Sequence, residues 1–287
     1  MQKLGSLLDM DEIRRRVEAA KAIARDTSND LTDSSNHSDC PHGCVDGYIL
    51  DGWTARECVC LNQRKLAARM KNAMIPEEFE NAEFSTYRTD TPTQAGMLVK
   101  IREYLDTFDE RRNTQQNSFG FIAKFGEQKL REIKNPVERS RMKAQHNNFG
   151  LGKTHLQIAA AKELIQRGYG VVCISDVAFM EELSRSRAYN DEGEAVNRLL
   201  GTVIRADVLV WDDIGKAKPS EFRLDMYYQI INERYKAKRP IIFSSNEDSE
   251  TLAERIGDAA ASRLLGMARG NTYAVEGQDF RLGGSIS

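Results

Sequence analysis

The sequence predicts an α/β protein in which helices cover both faces of a parallel central sheet, with a small cysteine-rich module in front of it. From residue 118 onward, apolar segments of strand length alternate with longer segments of helical periodicity, which is the pattern of a parallel sheet. Four of the five cysteines fall between residues 40 and 60. We therefore expect two domains, a helical cysteine-rich module at residues 1–75 and the sheet domain at residues 76–287.

The composition is that of an ordinary soluble protein with ample length for a hydrophobic core. The chain has 287 residues, of which 40% are hydrophobic and 29% charged. A net charge of −2 excludes a general attraction to nucleic acid, so any DNA contact must come from a local patch. No apolar run approaches the roughly 20 residues needed to span a bilayer, and the polar, acidic N-terminus does not resemble a signal peptide. We expect a cytoplasmic protein without a membrane segment.

Three segments surround the cysteines in the N-terminal module. Residues 10–25 carry apolar positions at helical spacing among many charges, as in an exposed or partner-binding helix. Residues 26–39 are rich in Ser, Asn, Asp and Thr, which predicts a linker. A basic helix is predicted at residues 61–74, and it must end before Ile75-Pro76 because proline disfavours helical geometry in the residue that precedes it.

The four clustered cysteines predict a structural zinc site. They form two close pairs, Cys40 with Cys44 and Cys58 with Cys60, separated by a glycine-containing stretch that favours tight turns. Four thiolates suit tetrahedral Zn²⁺ and leave no ligand position for water. The pairs are spaced by three residues and by one rather than by two, so His42 is an alternative ligand. A redox-active dithiol is the other interpretation, although cytosolic cysteines with this spacing more often bind metal.

The rest of the chain is predicted as an alternation of strands and helices. Strands are expected at residues 118–123, 171–175, 208–211 and 240–244. Helices are expected at residues 94–108, 154–167, 177–187, 194–205 and 221–237. Sheets of this kind bind ligands at the carboxyl ends of their strands, so the polar residues that follow the strands are candidate site residues.

One loop carries the strongest chemical signal in the chain. Gly-Leu-Gly-Lys-Thr at residues 150–154 precedes an apolar helix; in such loops backbone N–H groups wrap nucleotide phosphates, and the helix points its positive end at them. We expect Lys153 to reach the β and γ oxygens and Thr154 to ligate Mg²⁺. Asn147 stands where the full pattern has glycine, and Asn tolerates left-handed backbone geometry. The predicted nucleotide contacts are Asn147, Asn148, Phe149, Gly150, Leu151, Gly152, Lys153, Thr154 and His155.

A second signal is the apolar strand at residues 208–211, which ends in two carboxylates, Asp212 and Asp213. Asp212, at the tip of the strand, is expected to hold Mg²⁺ directly or through water. Asp213 is expected to orient and polarise the attacking water. The alternative is a strand that runs into an ordinary acidic turn, and the glycine loop upstream argues against it.

Two further polar residues complete the candidate site. Asn246 follows the next apolar strand, where an amide could sense the γ-phosphate; otherwise it is a turn residue. Arg263, expected just after an amphipathic helix, has a side chain suited to bidentate contact with phosphate oxygens. It could act on the nucleotide of a neighbouring subunit, or it could be a surface charge of a helix.

These motifs resemble those of the AAA+ ATPases of the DnaC/DnaI/IstB group, and the DnaC/DnaI-type replicative helicase loaders fit best. The resemblance covers residues 75–281, which is most of the chain. It rests on Ile75-Pro76 with Phe79 and Phe84, Gly-Leu-Gly-Lys-Thr-His-Leu at 150–156, Trp-Asp-Asp-Ile-Gly at 211–215, Ser-Asn at 245–246, Ser-Arg-Leu at 262–264 and Gly-Gln-Asp-Phe-Arg at 277–281.

The resemblance implies an AAA+ P-loop ATPase that binds ATP and Mg²⁺ and carries an additional zinc module. The roles that it implies are Walker A for Lys153 and Thr154, Walker B for Asp212 and Asp213, sensor 1 for Asn246, and an arginine finger between subunits for Arg263. Members of the group commonly have Glu at the position of Asp213, so hydrolysis is expected to be slow or differently positioned. Nucleotide binding is the firmer expectation.

By the same resemblance, the chain is expected to be an oligomeric loader that delivers a hexameric replicative DNA helicase to single-stranded DNA. Its N-terminal region would grip the helicase, and ATP would be the switch. Three alternatives remain at this point. They are an IstB-like transposition helper with the same core, an adaptor that binds nucleotide with little turnover, and a small-molecule P-loop kinase.

Residues 124–146 depart from the family pattern, which passes directly from the strand to the glycine loop. Seven cations there outnumber three carboxylates, so the segment could contact phosphates with an affinity that falls steeply as salt rises. The cations are Lys124, Lys129, Arg131, Lys134, Arg139, Arg141 and Lys143. The alternative is a solvated surface hairpin or helix. Because the insertion shares its base with the phosphate loop, DNA binding and nucleotide occupancy could be coupled.

Overall fold

The computed structural model describes residues 40–41, 44, 47–51, 54–188, 193–277 and 279–280. The chain divides into two compact units, Met1–Asn62 and Gln63–Ser287. The helix predicted at residues 10–25, the linker at 26–39 and the alternative ligand His42 lie outside the described residues. The predicted domain boundary at residue 75 lies thirteen residues beyond the division between the two units.

The first unit contains an antiparallel hairpin between the two cysteine pairs. Its strands β1 (Tyr48–Asp51) and β2 (Thr54–Glu57) pair along their full length. At the base of the hairpin, Gly47 has a left-handed φ of +88°, and its carbonyl oxygen accepts a hydrogen bond from the Cys58 N–H (2.7 Å). These strands are not predicted from the sequence, because the β2 residues are all exposed and show no alternation of apolar and polar side chains.

Helix α1 (Val59–Asn72) confirms the predicted basic helix and begins two residues earlier than expected. It ends before the Ile-Pro dipeptide, as predicted, and Met74 after it has a left-handed φ of +56°. The chain then makes two short 3₁₀ turns, Glu77–Phe79 and Phe84–Thr86.

The second unit is built on the predicted parallel sheet. Its strands are β3 (Phe119–Ala123), β4 (Val171–Ser175), β5 (Val208–Asp212), β6 (Ile241–Ser244) and β7 (Thr272–Val275). They lie in the order β4-β5-β6-β3-β7, and every neighbouring pair is parallel. The first four lie within one residue of their predicted bounds.

The edge strand β7 is not predicted from the sequence. It has four residues, of which only Val275 is buried, so it lacks the apolar run of the other strands. It pairs with β3, from Gly120 opposite Thr272 to Ala123 opposite Val275. The strand therefore forms because β3 offers an edge to it, and that information is not local.

The helices of the second unit flank this sheet. They are α2 (Pro92–Asp106), α3 (Phe108–Arg111), α4 (Glu127–Glu132), α5 (Pro136–Gln145), α6 (Lys153–Gln166), α7 (Asp176–Ser186), α8 (Glu194–Arg205), α9 (Glu221–Lys236), α10 (Ser249–Ile256) and α11 (Asp258–Met267). The five predicted helices correspond to α2, α6, α7, α8 and α9, with ends within two residues. Side chains of Thr91, Ser220 and Asp248 accept backbone N–H groups at the start of α2, α9 and α10.

Both faces of the sheet are buried, as the pattern predicts. Along β5, Val208 and Val210 join one apolar cluster, while Leu209 and Trp211 join the other. Successive side chains of a strand point to opposite faces, so the four apolar residues of β5 serve two cores. All four are buried.

The sheet order brings the candidate site residues together. β5, β6 and β3 are neighbours and parallel, so their carboxyl ends lie at the same edge. Asp212 and Asp213 follow from β5, Asn246 follows β6, and the chain from β3 leads through α4 and α5 to the glycine loop. The insertion at residues 124–146 contains two helices, α4 and α5, as in the alternative of a solvated surface helix.

Candidate nucleotide-binding site

The glycine loop leads into α6 through two residues with left-handed geometry. Gly150 and Gly152 have φ of +65° and +86°, which glycine adopts without strain. A Cβ at Gly152 would lie 2.7 Å from the ring of Tyr87, whose hydroxyl donates to the Leu151 carbonyl oxygen (3.0 Å). The loop therefore needs glycine at this position for space as well as for conformation. It places the positive end of α6 at the site.

Asn147, which replaces the glycine of the full motif, has no positive φ and so does not use the left-handed geometry that asparagine tolerates. Its side-chain amide donates instead to the carbonyl oxygens of Phe149 (2.9 Å) and Gly277 (2.8 Å). The Gly277 N–H in turn donates to the Asn147 carbonyl oxygen (2.8 Å). Asn147 thus ties the loop to the segment after β7, which a glycine has no side chain to do.

Lys153 is buried at the centre of the site. Its Nζ donates to the side-chain oxygen of Asn246 (2.5 Å) and to the backbone carbonyl oxygens of Asn148 (3.1 Å) and Ser245 (3.4 Å). The ammonium group is therefore held among oxygen acceptors from the glycine loop and from the tip of β6. These acceptors can be exchanged for phosphate oxygens, which an ammonium group binds as a point charge.

Asp212 lies at the tip of β5, as predicted, and accepts hydrogen bonds from two hydroxyl groups. Thr154 donates to its two oxygens at 3.1 and 3.0 Å, and Ser244 donates at 2.7 Å. Burial, together with the charge of the neighbouring Asp213, raises the pKa of Asp212. The adjacent hydroxyl and carboxylate oxygens of Thr154 and Asp212 are the ligand types that Mg²⁺ prefers, so the residues present fit this ion.

Gln157 is a site residue that the sequence analysis does not identify. With its NH₂ oriented toward the carboxylate, the buried side chain donates to Asp212 Oδ1 (2.8 Å) and accepts the Ser244 N–H (3.0 Å). It lies three residues after Thr154 on α6 and therefore on the same side of the helix. The three-residue spacing from Thr154 is therefore the feature of the sequence from which this site residue can be predicted.

Asn246 connects the two halves of the site. Its side-chain oxygen accepts from Lys153, and its Nδ2 donates to Asp213 Oδ1 (3.1 Å). Asp213 has a left-handed φ of +54°, and its N–H donates to the Ser244 hydroxyl (3.0 Å). Asp adopts this backbone region more readily than most residues do, which gives a local reason for an aspartate at this position.

A cavity of about 550 Å³ opens at this edge of the sheet. Its lining comes from the predicted loop and strand tips and from two other segments. The lining residues are Glu78, Phe79, Asn148, Phe149, Gly150, Leu151, Gly152, Lys153, Thr154, His155, Asp212, Asp213, Asn246 and Phe280. Glu78, Phe79 and Phe280 are not predicted from the sequence as nucleotide contacts, because they come from distant parts of the chain.

His155 lines the cavity while its ring contacts the segment before α2. Its Nε2 lies 2.8 Å from the Glu83 carbonyl oxygen and 3.3 Å from the Thr86 hydroxyl. Its ring centroid is 5.4 Å from that of Tyr87. These contacts fix the start of α6 against the chain that supplies Phe79, so one side of the cavity is prearranged.

Arg263 comes after the amphipathic helix α10 (Ser249–Ile256), as expected, but it does not lie in a loop. The residue lies within α11, and its guanidinium sits over the rings of Tyr228 (5.1 Å) and Tyr235 (6.0 Å) of α9. The motif is apolar and helix-compatible on both sides of the arginine, so α11 continues through it. Arg263 does not line the cavity of its own chain.

Asp176 forms a buried polar centre behind the site. Its carboxylate accepts hydrogen bonds from Trp211 Nε1 (3.0 Å), the Tyr227 hydroxyl (2.9 and 2.7 Å) and the Ala217 N–H (2.8 Å). Burial raises the pKa of Asp176 to about 6 despite these donors. The carboxylate joins β5 to α7, α9 and the loop after Asp213, so it supports the strand tip that carries the catalytic candidates.

The four clustered cysteines converge in the first unit. Their sulfur atoms all lie within 4.8 Å of one another, and the four residues are buried or half-buried. The Sγ atoms of Cys40 and Cys58 are 3.8 Å apart, and those of Cys44 and Cys60 are 3.1 Å apart. All five cysteines of the chain are described, and none forms a disulfide. A tetrahedron with Zn–S bonds of about 2.3 Å has S···S edges of about 3.8 Å, so this cluster fits zinc.

The fold and the site define a nucleotide-binding protein of the P-loop, AAA+ type. A glycine loop, a buried lysine, a carboxylate at a strand tip and an amide on the next strand meet at the carboxyl edge of a parallel sheet. The sequence pattern of the IstB-like ATP-binding proteins matches residues 135–279, just over half of the chain. The chain belongs to this family.

Known proteins resemble the chain beyond that segment. The phage-like element PBSX protein XkdC of Bacillus subtilis (strain 168) is 25% identical and aligns over 95% of this chain and 94% of its own length. The replicative helicase loader DnaC of Escherichia coli (strain K12) is 26% identical over 185 residues, 64% of this chain and 63% of its own length. A crystal structure of the DnaC helicase loader has a TM-score of 0.52 at 22% identity, covering 70% of this chain and all of that one. The likeness to that structure supports the fold assignment.

No helix in the described part of the chain is long and apolar enough to cross a membrane.

Proposed function

We propose that this protein is an ATPase that loads a replicative DNA helicase onto single-stranded DNA in the cytoplasm. The observation that carries the proposal is the alignment with a replicative helicase loader over 64% of the chain. The connected contacts from Lys153 through Asn246 to Asp213 support it, because they link the phosphate-binding lysine to the water-orienting carboxylate.

In this proposal the chain's own residues bind and orient ATP. Lys153 leaves its carbonyl and amide partners for the β and γ oxygens, and the backbone N–H groups of the glycine loop surround the phosphates. Phe79, His155 and Phe280 border the remaining volume, where the nucleoside fits. Thr154 and Asp212 hold Mg²⁺, which when bound neutralises charge on the phosphate oxygens.

Hydrolysis is assigned to Asp213 with Asn246. Asp213 accepts a hydrogen bond from the attacking water and takes up its proton, and Asn246 Nδ2 fixes the orientation of the carboxylate. When Lys153 binds phosphate, Asn246 loses one of its two partners and is free to reorient. The amide thereby senses whether a γ-phosphate is present.

Arg263 is proposed to act on the nucleotide of an adjacent subunit in a homo-oligomer. Its guanidinium rests on two tyrosine rings of α9 and does not line its own cavity, which suits a cation offered to a neighbour. The expected result for an equal mixture of Arg263→Ala and Lys153→Ala chains is partial recovery of ATP turnover. No recovery, with both chains shown to co-assemble, would contradict this role.

The N-terminal region, residues 1–75, is proposed to be the zinc-dependent module that contacts the helicase. Four converging thiols at the start of α1 support a structural zinc ion, since a positive helix end favours thiolates. A module of this size has too little apolar surface to fold without such a crosslink.

An IstB-like transposition helper is the second candidate, because the matching family description is IstB-like. The two functions share the ATPase core and differ in the partner. An adaptor with little turnover is the third, since Asp213 replaces the usual Glu. The partner and the turnover rate therefore decide among them.

The deciding experiment is affinity capture from host lysate with the intact protein, Lys153→Ala and the surface control Lys100→Ala, each with and without ATP. We expect the intact protein and the control to capture a hexameric DNA helicase, and Lys153→Ala to lose the response to nucleotide. Lys100 is exposed on α2, and among the residues that the structure describes its ion-pair partner is Glu103. Recovery of a transposase would favour the helper, and a helicase complex indifferent to ATP would favour the adaptor.

A further inference from the structure

The insertion at residues 124–146, which we name the basic arm, places a helix in solvent beside the nucleotide loop. Its first helix, α4, buries Leu130. Its second helix, α5, has no buried residue; only Met142 is half-buried, and Val137 is 79% exposed. An element with so little packing offers nearly its whole surface to a partner.

Local contacts hold α5 in helical form. The Asn135 side chain caps it by accepting the N–H groups of Val137 (2.9 Å) and Glu138 (3.3 Å), and Pro136 occupies the first turn. Arg139 Nε donates to the Ile133 carbonyl oxygen (2.9 Å). Isolated helices shorter than about 12–15 residues are marginal in water, so these caps matter for a helix of ten residues.

The two ends of the basic arm are joined at its base. One carboxylate, Glu276, receives Lys124 Nζ (2.9 Å) from the first residue of the arm and lies 3.1 Å from Nδ1 of His146, the last residue. The ring of His146 stacks on Phe125, with centroids 5.0 Å apart. The last residue of the arm directly precedes Asn147, so the base is continuous with the glycine loop.

The start of α4 is bonded to the residue proposed to sense the γ-phosphate. The Glu127 N–H donates to the Asn246 carbonyl oxygen (2.9 Å), and the Gly126 N–H donates to Asp248 (3.0 Å). Glu127 also pairs with Lys216 (3.0 Å), from the loop after Asp213. The start of the arm is thus hydrogen-bonded to the segment that carries Asn246, and the end of the arm is covalently continuous with the glycine loop.

Four of the seven cations of the arm serve this framework. Lys124 binds Glu276, Lys129 binds Asp248 and Glu250, Arg131 binds Glu127, and Arg139 binds backbone carbonyl oxygens. The other three are Lys134, Arg141 and Lys143, which are exposed and form no ion pair within the described part of the chain. The arm therefore presents three exposed cations that take no part in these contacts, on a protein of net charge −2.

We propose that the basic arm is a contact for the phosphate backbone of single-stranded DNA, through Lys134, Arg141 and Lys143, and that its hold on DNA depends on the bound nucleotide. This proposal rests on the proposed function as a loader on single-stranded DNA, and it adds which element contacts the DNA and what regulates that contact. Solvated cations without apolar surroundings suit phosphates, whose binding is driven by release of counterions. The anchors at Asn246 and Glu276 give the nucleotide site a direct mechanical connection to the arm.

The first test is the triple variant Lys134→Ala, Arg141→Ala, Lys143→Ala in the full-length protein, with binding of fluorescent oligo(dT) measured across a salt series. We expect affinity at low salt to fall about tenfold or more, and the slope of log affinity against log salt to become shallower by about 2. Nucleotide binding and thermal unfolding are expected to be unchanged.

The matched control removes three exposed cations elsewhere: Arg88→Ala, Lys100→Ala and Lys236→Ala. Each of them forms an exposed ion pair with an acidic residue two or three positions away in the chain, and the total charge change is the same. We expect a far smaller loss of DNA binding in this control. Equal losses in both variants, or an unchanged salt slope in the arm variant, would overturn the assignment of these residues.

The second test is Glu276→Gln, which weakens the clamp on Lys124 and His146 and leaves the three DNA-binding cations in place. In the intact protein we expect DNA affinity to differ between a non-hydrolysable ATP analogue and ADP. In Glu276→Gln we expect the ratio of the two affinities to move toward one. An intact protein whose DNA affinity is the same in both nucleotides would overturn the coupling.

The outcomes separate this inference from the function on which it rests. If the arm variant binds DNA like the intact protein but no longer captures the helicase, the arm is a protein contact and the inference fails while the loader function stands. If the intact protein captures no helicase and binds no single-stranded DNA, the proposed function itself fails.

Discussion

Asp213 and Asn246 are the residues whose contacts say most about chemistry in this site. The Asp213 carboxylate is fixed by the Asn246 amide, and its backbone is held in left-handed geometry by a hydrogen bond to Ser244. A carboxylate that is positioned in this way, and that forms no ion pair with a lysine in the described part of the chain, is suited to orient water. The amide, by contrast, serves both the lysine and the carboxylate.

Replacing Asp213 with Asn is expected to lower the rate of ATP hydrolysis by a factor of about 10² to 10⁴, because the amide cannot take up the proton of the attacking water. ATP affinity is expected to change little, since Asn has a similar shape and also tolerates left-handed geometry. Single-turnover hydrolysis and binding of a fluorescent ATP analogue measure the two quantities.

The control for this variant is Asp225→Asn, an exposed aspartate on α9 that should affect neither quantity. A hydrolysis rate in Asp213→Asn equal to that of the intact protein would contradict the assigned role. Loss of nucleotide binding would instead mean that the site had been disrupted, and the rate would carry no information about the water.

Asn147 and Gln157 show at the same scale which contacts a sequence motif leaves open. A motif identifies the residue type that tolerates a backbone conformation, and it is silent about where an amide side chain will find partners. Asn147 finds Gly277 and Gln157 finds Asp212, both far away in the chain. Such partners are set by the packing of the sheet.

At the scale of elements, Asp176 holds several secondary structures around β5. Asp176 is the first residue of α7. Its carboxylate accepts hydrogen bonds from the Trp211 indole N–H of β5 and from the Tyr227 hydroxyl of α9. The two rings stack with centroids 5.6 Å apart. This arrangement fixes the strand tip that carries Asp212, and its cost is a buried carboxylate.

The raised pKa of Asp176 predicts a pH dependence of stability. Its pKa is about 6 in the folded protein against an ordinary value of 3.8, so the folded state binds the proton more tightly. This contribution to stability is fully present below pH 3.8 and is lost as the pH rises through 6. Relative to the intact protein, Asp176→Asn should therefore gain about 1.5 kcal/mol of unfolding free energy between pH 5 and pH 8.

Urea unfolding of both proteins at the two pH values measures this difference. The exposed Asp225→Asn variant is the control, for which we expect a difference independent of pH. If the stability difference between Asp176→Asn and the intact protein were the same at pH 5 and pH 8, the Asp176 carboxylate would not have the raised pKa assigned to it.

In the basic insertion, the packing of the helices decides which cations form contacts within the protein. From composition alone its seven cations look equivalent, whereas in the fold four of them hold the arm together. Ion-pair partners such as Glu276, Asp248 and Glu250 lie over a hundred residues away in the chain. The proposed DNA contact therefore involves three side chains of the insertion, Lys134, Arg141 and Lys143, rather than all seven cations.

At the scale of the whole molecule, the chain combines an ATP-binding unit with a small unit organised by cysteines. The two differ in what holds them together. The larger unit has two extensive apolar clusters on either side of its sheet. The smaller one has a four-residue hairpin pair and four converging thiols, with few buried apolar side chains in its described part.

Removal of zinc is therefore expected to unfold the smaller unit while nucleotide binding by the larger one persists. We expect one zinc per chain in the intact protein and in Cys173→Ala, and loss of the metal in Cys44→Ala. Metal analysis and the reactivity of thiols toward a chromogenic reagent, before and after a strong chelator, measure this.

Cys173 is the appropriate control because it is buried in β4, where burial raises the pKa of its thiol to about 12. It should stay unreactive until the larger unit unfolds. Zinc retained by Cys44→Ala would contradict the four-cysteine site, and disulfides in the intact protein would favour the redox interpretation.

The sequence by itself determined the features that depend on neighbouring residues. These are the α/β alternation, the glycine loop with Lys153 and Thr154, the carboxylates after β5, the amide after β6 and the clustered cysteines. Each is encoded within a short window, because strand and helix periodicity, turn geometry and ligand spacing are local properties.

The tertiary structure decided what depends on residues far apart in the chain. It created β7 by offering an open edge of β3, and it placed Arg263 inside α11 and away from its own cavity. It also gave Asn147 and Gln157 their partners and, within the residues that the structure describes, left three of the seven arm cations outside the contacts that hold the arm together. The physical reason is common to all of these: hydrogen bonds, ion pairs and strand pairing are satisfied by whichever groups the fold brings within reach.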